Sequence, residues 1–147
     1  MLERTLVIIK PDALCKKVVG KIITRFEQAG FKIQAAKFVW LSNQQAREFY
    51  QIHRGKEFYE PLVKFMSSNP SLVMVLKGEN AIQQIRKISG KTDSKKAKKG
   101  TLRRNFGTDE RHNVVHASDS PETTKWEINF FFNKQEIFSW AEKTYRK

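Results

Sequence analysis

Four short runs rich in β-branched residues, helical periodicity between them, and the order strand, helix, strand, two helices, strand, helix, strand predict an α/β (α+β) fold. Stripped of insertions the order is βαββαβ, the ferredoxin-like arrangement: a four-stranded antiparallel sheet with helices covering one face. At 147 residues, with no internal repeat and no linker, residues 1–147 form one domain.

"TLVIIK" is a short buried strand, stopped by Pro11. Val18, Val19, Ile22, Ile23 and Phe26 recur at three and four, marking a helix to Ala29 that Gly30 closes. "FKIQAAKFVWL" returns to strand. Ser42 with Gln45 makes a capping box for a helix holding Phe49 and Tyr50, and "EPLVKFM" reads as another short helix. "SLVMVLKG" is the third strand. Asn80 and Gln83 open a helix with Ile82, Ile85 and Ile88 on one side, ended by Gly90. "KTDSKKAKKGTLRRNFG" reads as a long loop. "NVVH" is the fourth strand, because Val114 and Val115 suit a pleated surface, and the small residues from Ala117 to Ser120 lead out of it. Ser120-Pro121 begins a helix carrying Trp126 and Phe130, and Asn133 with Glu136 caps a last one.

Hydrophobic residues make up 39% and charged residues 29%, a globular rather than disordered balance. Lys plus Arg number 28 against 15 for Asp plus Glu, and the net charge of +13 attracts polyanions: nucleic acid, acidic membranes or phosphorylated small molecules. The single Cys15 excludes an internal disulfide and suits a reducing compartment. Cys15, His53, His112 and His116 lack zinc-ligand spacing. Leu6 to Ile9 is too short a run for a signal peptide or membrane span, so the expectation is a soluble cytoplasmic protein.

Two loud features carry little. "SGKT", Ser89 to Thr92, imitates the end of a phosphate-binding Walker loop, but Ile85 stands where the first glycine belongs and the segment closes a helix instead of opening one. The run Lys91, Lys95, Lys96, Lys98 and Lys99 reads first as a solvated loop; no aromatic lies within it to stack on single-stranded bases. The quieter pattern is spread along the chain. Lys10 ends the first strand, Arg86 lies on a helix ahead of Thr92, and Arg103 precedes Asn113 and His116. Arginines that fork around phosphate oxygens, with hydroxyl donors beside them, are what a nucleoside triphosphate requires. Spacing alone does not assemble these residues into a site.

The motifs do more. "NVVHASDS" is close to the Asn-x-x-His-Gly/Ala-Ser-Asp-Ser segment of nucleoside diphosphate kinases, and the chain resembles that family from "ERTLVIIKPDA" to "WEINFFF". "IIKPDA", "FYEPLVKFMSS", "GTLRRNFG" and "ETTKWEI" match in family order and at family-like separations. The resemblance implies Mg2+-dependent transfer of the γ-phosphate from a nucleoside triphosphate to a nucleoside diphosphate by a ping-pong mechanism, with broad base tolerance. His116 matches the phosphate-carrying nucleophile, Glu127 the carboxylate that orients it, and Ser118 a serine supporting both. Arg86, Thr92 and Arg103 match the phosphate clamp; Lys10 and Asn113 match contacts to sugar hydroxyls and phosphate. Phe58 matches the aromatic that stacks on the base, with Leu62 beside it, and Tyr50 a pocket tyrosine near the histidine. Asp119 is the expected carboxylate for magnesium, directly or through water. The resemblance further implies a homo-oligomer, tetramer or hexamer; the charge adds weak, salt-sensitive association with nucleic acid.

The departures are local. Ala117 replaces the commoner glycine, Glu110 stands where the family often has an apolar residue near the base, and Lys56 stands where arginine is common. Asp93-Ser94 replaces a frequent Asn-Pro in the long loop, which bears on subunit contacts. A nucleic-acid-binding module on the same fold would show a glycine-aromatic motif on its strands, and none is present. A catalytically silent subunit would have lost His116 or an arginine, and both are kept.

Overall fold

A computed structural model describes residues 1–141. Four strands, β1 (Leu2–Ile9), β2 (Lys32–Val39), β3 (Ser71–Glu79) and β4 (Val115–Ala117), form one sheet in the order β2-β3-β1-β4, antiparallel at every pairing. The helices are α1 (Pro11–Cys15), α2 (Val19–Gln28), α3 (Asn43–Phe49), α4 (Tyr59–Met66), α5 (Ala81–Ser89), α6 (Leu102–Phe106) and α7 (Pro121–Phe131). Short 3-10 turns occupy Gln51–His53 and Lys134–Glu136.

The order and the antiparallel sheet are as the sequence predicts, but helices cover both faces, not one. The cause is visible in β1, where Leu6, Val7, Ile8 and Ile9 are all fully buried. A strand buried on both sides reads as a continuous apolar run. Val7 and Ile9, with Met74 and Leu76 of β3, pack under Ile22 and Phe26 of α2 and Ile85 of α5. Leu6 and Ile8, with Val73 and Val75, pack under Phe49, Val63, Met66 and Phe131 of α3, α4 and α7.

The caps account for several boundaries. Ser42 accepts from the Gln45 N–H while the Gln45 side chain accepts from the Ser42 N–H, completing the predicted box. Ser120 accepts from the Thr123 N–H at the start of α7, and Gly30 takes a φ of +95° after α2. Other expectations need correction. Pro11 ends the strand and also begins α1, since its missing N–H costs nothing at a first helical position. The long loop contains α6, opened by Thr101, whose hydroxyl accepts from the Arg104 N–H. Asn80 lies in the left-handed region and its side chain caps nothing; the carboxylate of Glu3 on β1 accepts from the Ile82 N–H instead. Asn133 and Glu136 form their box around a single 3-10 turn, so no last helix follows α7 among the described residues. The fourth strand is Val115–Ala117, not 113–116: Val114 has a φ of +63°, outside the range of a strand.

Candidate active site

His116 sits at the centre of β4, opposite Ile8 in the buried half of β1. Its Nε2 lies 3.0 and 2.9 Å from the two carboxylate oxygens of Glu127 on α7. A carboxylate accepts, so Nε2 is the donor, and in the neutral imidazole Nδ1 keeps its lone pair. No hydrogen bond to Nδ1 occurs among the described residues. Glu127 is itself buried and accepts a 2.6 Å hydrogen bond from the Ser118 hydroxyl. Ser118 lies behind this pair, its backbone N–H tied to the Leu6 carbonyl of β1. The rings of Phe49 and Tyr50 meet the imidazole edge-on at centroid distances of 5.4 and 6.2 Å. Burial, reinforced by the Glu127 charge, pushes the Tyr50 pKa well above its usual range, so the phenol stays neutral.

The approach to β4 is unusual. Val114 is fully buried, and a β-branched residue at positive φ is strained. Three groups hold it there. The Asp12 carboxylate accepts from the Val114 N–H (3.1 Å), the Val114 carbonyl accepts from the Lys10 N–H (2.8 Å), and the Asn113 carbonyl accepts from the Val115 N–H (2.8 Å). The Lys10 ammonium donates to the Arg111 carbonyl and to Asn113 Oδ1, both at 2.8 Å. Asn113 in turn donates to the carbonyls of Thr92 and Glu110, linking the long loop to this turn. Burial above all, opposed by Asp12 and Asp109 and aided by Arg103 and Arg111, brings the Lys10 pKa down to about 7.

Two guanidinium groups flank the strand. Arg103 of α6 donates to the carbonyls of Gly90 and Val115, both at 2.7 Å, and its buried Nε–H has no partner among the described residues. Burial first, then the neighbouring Arg86, lowers its pKa to about 10, still fully charged at neutral pH. Arg86 of α5 donates to the Ala117 carbonyl at 3.2 Å. Both are therefore anchored by carbonyls of β4, on either side of His116. The departure at Asp93-Ser94 is accommodated: Ser94 is buried, and its N–H donates to the Asp109 carbonyl, closing the loop without Asn-Pro.

A cleft of about 500 Å3 opens over these groups, lined by His116, Lys10, Tyr50, Phe58, Leu62, Arg86, Thr92, Arg103, Asn113, Asp119 and Glu127. Every site residue expected from the sequence lines it except Ser118, which supports it from behind. Phe58, 42% exposed, stands at its lip. Ile52, His53, Arg111 and Thr123 also line it and were not expected; His53 is on the turn after α3, 5.0 Å from the Phe58 ring. Nothing in their local sequence distinguishes them; Arg111 and Thr123 flank β4 in the chain, and only folding brings Ile52 and His53 to it. Glu110 lines the cleft as well. No cluster of three metal-ligating side chains exists among the described residues. With Glu127 committed to His116, Asp119 is a carboxylate open to a cation, and a single protein carboxylate plus substrate phosphates is a donor set that suits Mg2+.

A histidine with one nitrogen engaged by a carboxylate and the other bare, set between arginines, is the apparatus of a phosphotransferase. The family model described as nucleoside diphosphate kinase matches residues 3–137. A nucleoside diphosphate kinase of Coxiella burnetii is 53% identical over 137 residues, covering 93% of this chain and 99% of that protein. A crystal structure of the Aquifex aeolicus nucleoside diphosphate kinase superposes with a TM-score of 0.92 at 48% identity, covering 94% of this chain and 100% of that one. A Borrelia burgdorferi nucleoside-diphosphate kinase, solved as a transition-state mimic with bound vanadate and ADP, gives 0.90 at 29% identity over 96% of this chain and 93% of that one. The chain belongs to the nucleoside diphosphate kinase family. It is an enzyme of the phosphotransferase class, working on nucleotides through a phosphohistidine.

Proposed function

We propose that His116 carries the γ-phosphate in a ping-pong exchange between nucleoside triphosphates and diphosphates. The observation that carries this reading is the pairing of Nε2 with Glu127, which leaves Nδ1 as the nucleophile. The Nδ1 lone pair attacks the γ-phosphorus, the bond to the β–γ bridging oxygen breaks, and the diphosphate leaves with that oxygen. A terminal oxygen of the second diphosphate then attacks the same phosphorus, and the N–P bond breaks. Glu127, steadied by Ser118, holds the ring and offsets the positive charge it gains on phosphorylation. Arg86, Arg103 and Thr92 neutralise and orient the phosphoryl oxygens; their attachment to β4 and its neighbouring loops means little reorganisation at reaction.

Lys10 and Asn113, already bonded to each other, face the ribose hydroxyls and inner phosphates. Phe58 and Leu62 offer an apolar face for the base at the lip of the cleft, and stacking on a π face tolerates every base. Tyr50 packs against the imidazole as a neutral phenol. Asp119 would hold Mg2+, directly or through water, and the ion would neutralise charge between the phosphates. No helix among the described residues is long and apolar enough to cross a membrane. We read the protein as cytoplasmic, in keeping with its unpaired Cys15, and as a homo-oligomer, tetramer or hexamer; the exposed Phe38 and Trp40 at edge strand β2 support assembly.

Initial velocities with ATP and GDP varied together test the reading. Parallel double-reciprocal lines are expected, and His116→Ala should abolish transfer. Intersecting lines, or transfer retained by that variant, would refute it.

A further inference from the structure

Among the described residues, Glu110 is the one carboxylate of the cleft that the phosphoryl chemistry does not use. Of the three in the lining, Glu127 is bonded to His116, and Asp119 lies just past the end of β4. Glu110 is exposed, and its carboxylate makes no hydrogen bond or ion pair among the described residues. Its backbone is nonetheless fixed. The Asp109 carboxylate accepts from the Arg111 and His112 N–H groups (2.9 and 2.7 Å), and the Glu110 carbonyl accepts from the Asn113 amide at 3.0 Å. This turn therefore holds Glu110 at the end of the cleft where Asn113 meets Lys10. It also stands against the apolar wall: the His112 ring lies 4.6 Å from that of Phe65 on α4, one helical turn beyond Leu62.

We propose that Glu110 ranks the nucleobases by their hydrogen-bond donors, guanine first, within a cleft that admits them all; this rests on the nucleotide-transfer reading above. A carboxylate here is repelled by the phosphates. The donors a nucleotide offers it are the ribose hydroxyls, which Lys10 and Asn113 face, and the N–H groups of the base. Guanine presents N1–H and its 2-amino group side by side, two donors that one carboxylate takes together in charge-assisted hydrogen bonds. Adenine and cytosine offer one amino group beside a ring-nitrogen acceptor. Uracil sets its N3–H between two carbonyls, whose lone pairs oppose the carboxylate. Stacking on Phe58 accepts every π face, and hydrogen bonding to Glu110 then orders the bases, with uracil last.

The test is calorimetric titration of the full chain with UDP, GDP and inosine diphosphate, the last lacking only the 2-amino group of GDP. GDP should bind about fivefold or more tighter than inosine diphosphate, the effect of one charge-assisted hydrogen bond at a partly solvated site. In Glu110→Val and Glu110→Gln that ratio should fall to within about twofold, with UDP binding unchanged or tighter. Both variants keep the turn, whose bonds use the Glu110 backbone and the Asp109 side chain. A ratio near unity in the wild type, or one that survives both substitutions, would overturn the proposal. So would an equal loss of GDP and inosine diphosphate affinity in both variants, which would assign Glu110 to the sugar. The transfer reading is scored separately, by phosphate on His116 after the same preparations meet ATP. Absence of that phosphate would refute transfer while the titrations still decide the ranking of bases.

Discussion

Lys10 is a cation held by burial in a partly discharged state, and that has a measurable consequence. In the free enzyme its pKa is near 7, whereas a polyphosphate beside it favours the charged form. Nucleotide binding above neutral pH must therefore take up a proton. Between about pH 7.5 and 9, log K for ADP should fall with pH by up to one per unit, and Lys10→Met should remove that dependence. Calorimetry in buffers of different ionisation enthalpy measures the uptake directly. Glu127→Gln should behave differently, lowering turnover by about tenfold or more, or roughly 1.4 kcal/mol, with little change in the nucleotide Michaelis constant. Gln cannot offset a cationic ring as a carboxylate does. A raised Michaelis constant with unchanged turnover would show that Glu127 acts on binding. These residues were legible because the His116 segment and its distant matches keep their order along the chain. Asp12 was not: read in sequence it is one letter of "KPDA", and only the fold brings it to the Val114 N–H.

Among the elements, the strained turn before β4 and the packing of α6 decide whether the cleft exists. Asp12→Ala would leave the buried Val114 N–H without an acceptor, at a cost of roughly 1–3 kcal/mol, while Asp12→Asn retains an acceptor and should lose less. Urea unfolding of the two variants compares them. Gly107 ends α6, and a Cβ there would come within 2.6 Å of the Arg103 carbonyl and collide with the Ser94 hydroxyl oxygen. Gly107→Ala should therefore destabilise by roughly 1–3 kcal/mol and raise the nucleotide Michaelis constant by shifting Arg103. If Gly107→Ala matched wild type in both, the loop would be looser than the geometry describes. The long elements were legible from periodicity and caps. α6 was hidden because five residues with two arginines give no apolar stripe, and β4 was misplaced because Val114 has strand composition with a left-handed backbone.

At the scale of the molecule, charge is the property that composition made plainest and topology least constrained. The +13 net charge read from the sequence concentrates in part on Lys95, Lys96, Lys98 and Lys99, all exposed, on the loop whose Thr92 lines the cleft. Such a patch raises the local concentration of anions and speeds encounter, within a screening length of roughly 10 Å at 0.1 M salt. Changing the four lysines to glutamine should lower the second-order rate of nucleotide capture and flatten its salt dependence, leaving the single-turnover rate at saturation unmoved. Stopped-flow capture equal to wild type at low ionic strength would limit the run to solubility or subunit contacts. The two-sided helical cover was the main global feature the order of elements did not convey; the unbroken "LVII" run in β1 held the signal.

All of this depends on which atom receives the phosphate. The direct measurement is incubation with γ-labelled ATP and magnesium, digestion under alkaline conditions, and location of the label by mass spectrometry, with the ring nitrogen assigned by phosphorus–nitrogen NMR coupling. One alkali-stable, acid-labile phosphate on Nδ1 of His116 is the expected result. Label on Nε2, or on His53, His112 or any other residue with His116 unmodified, would contradict it.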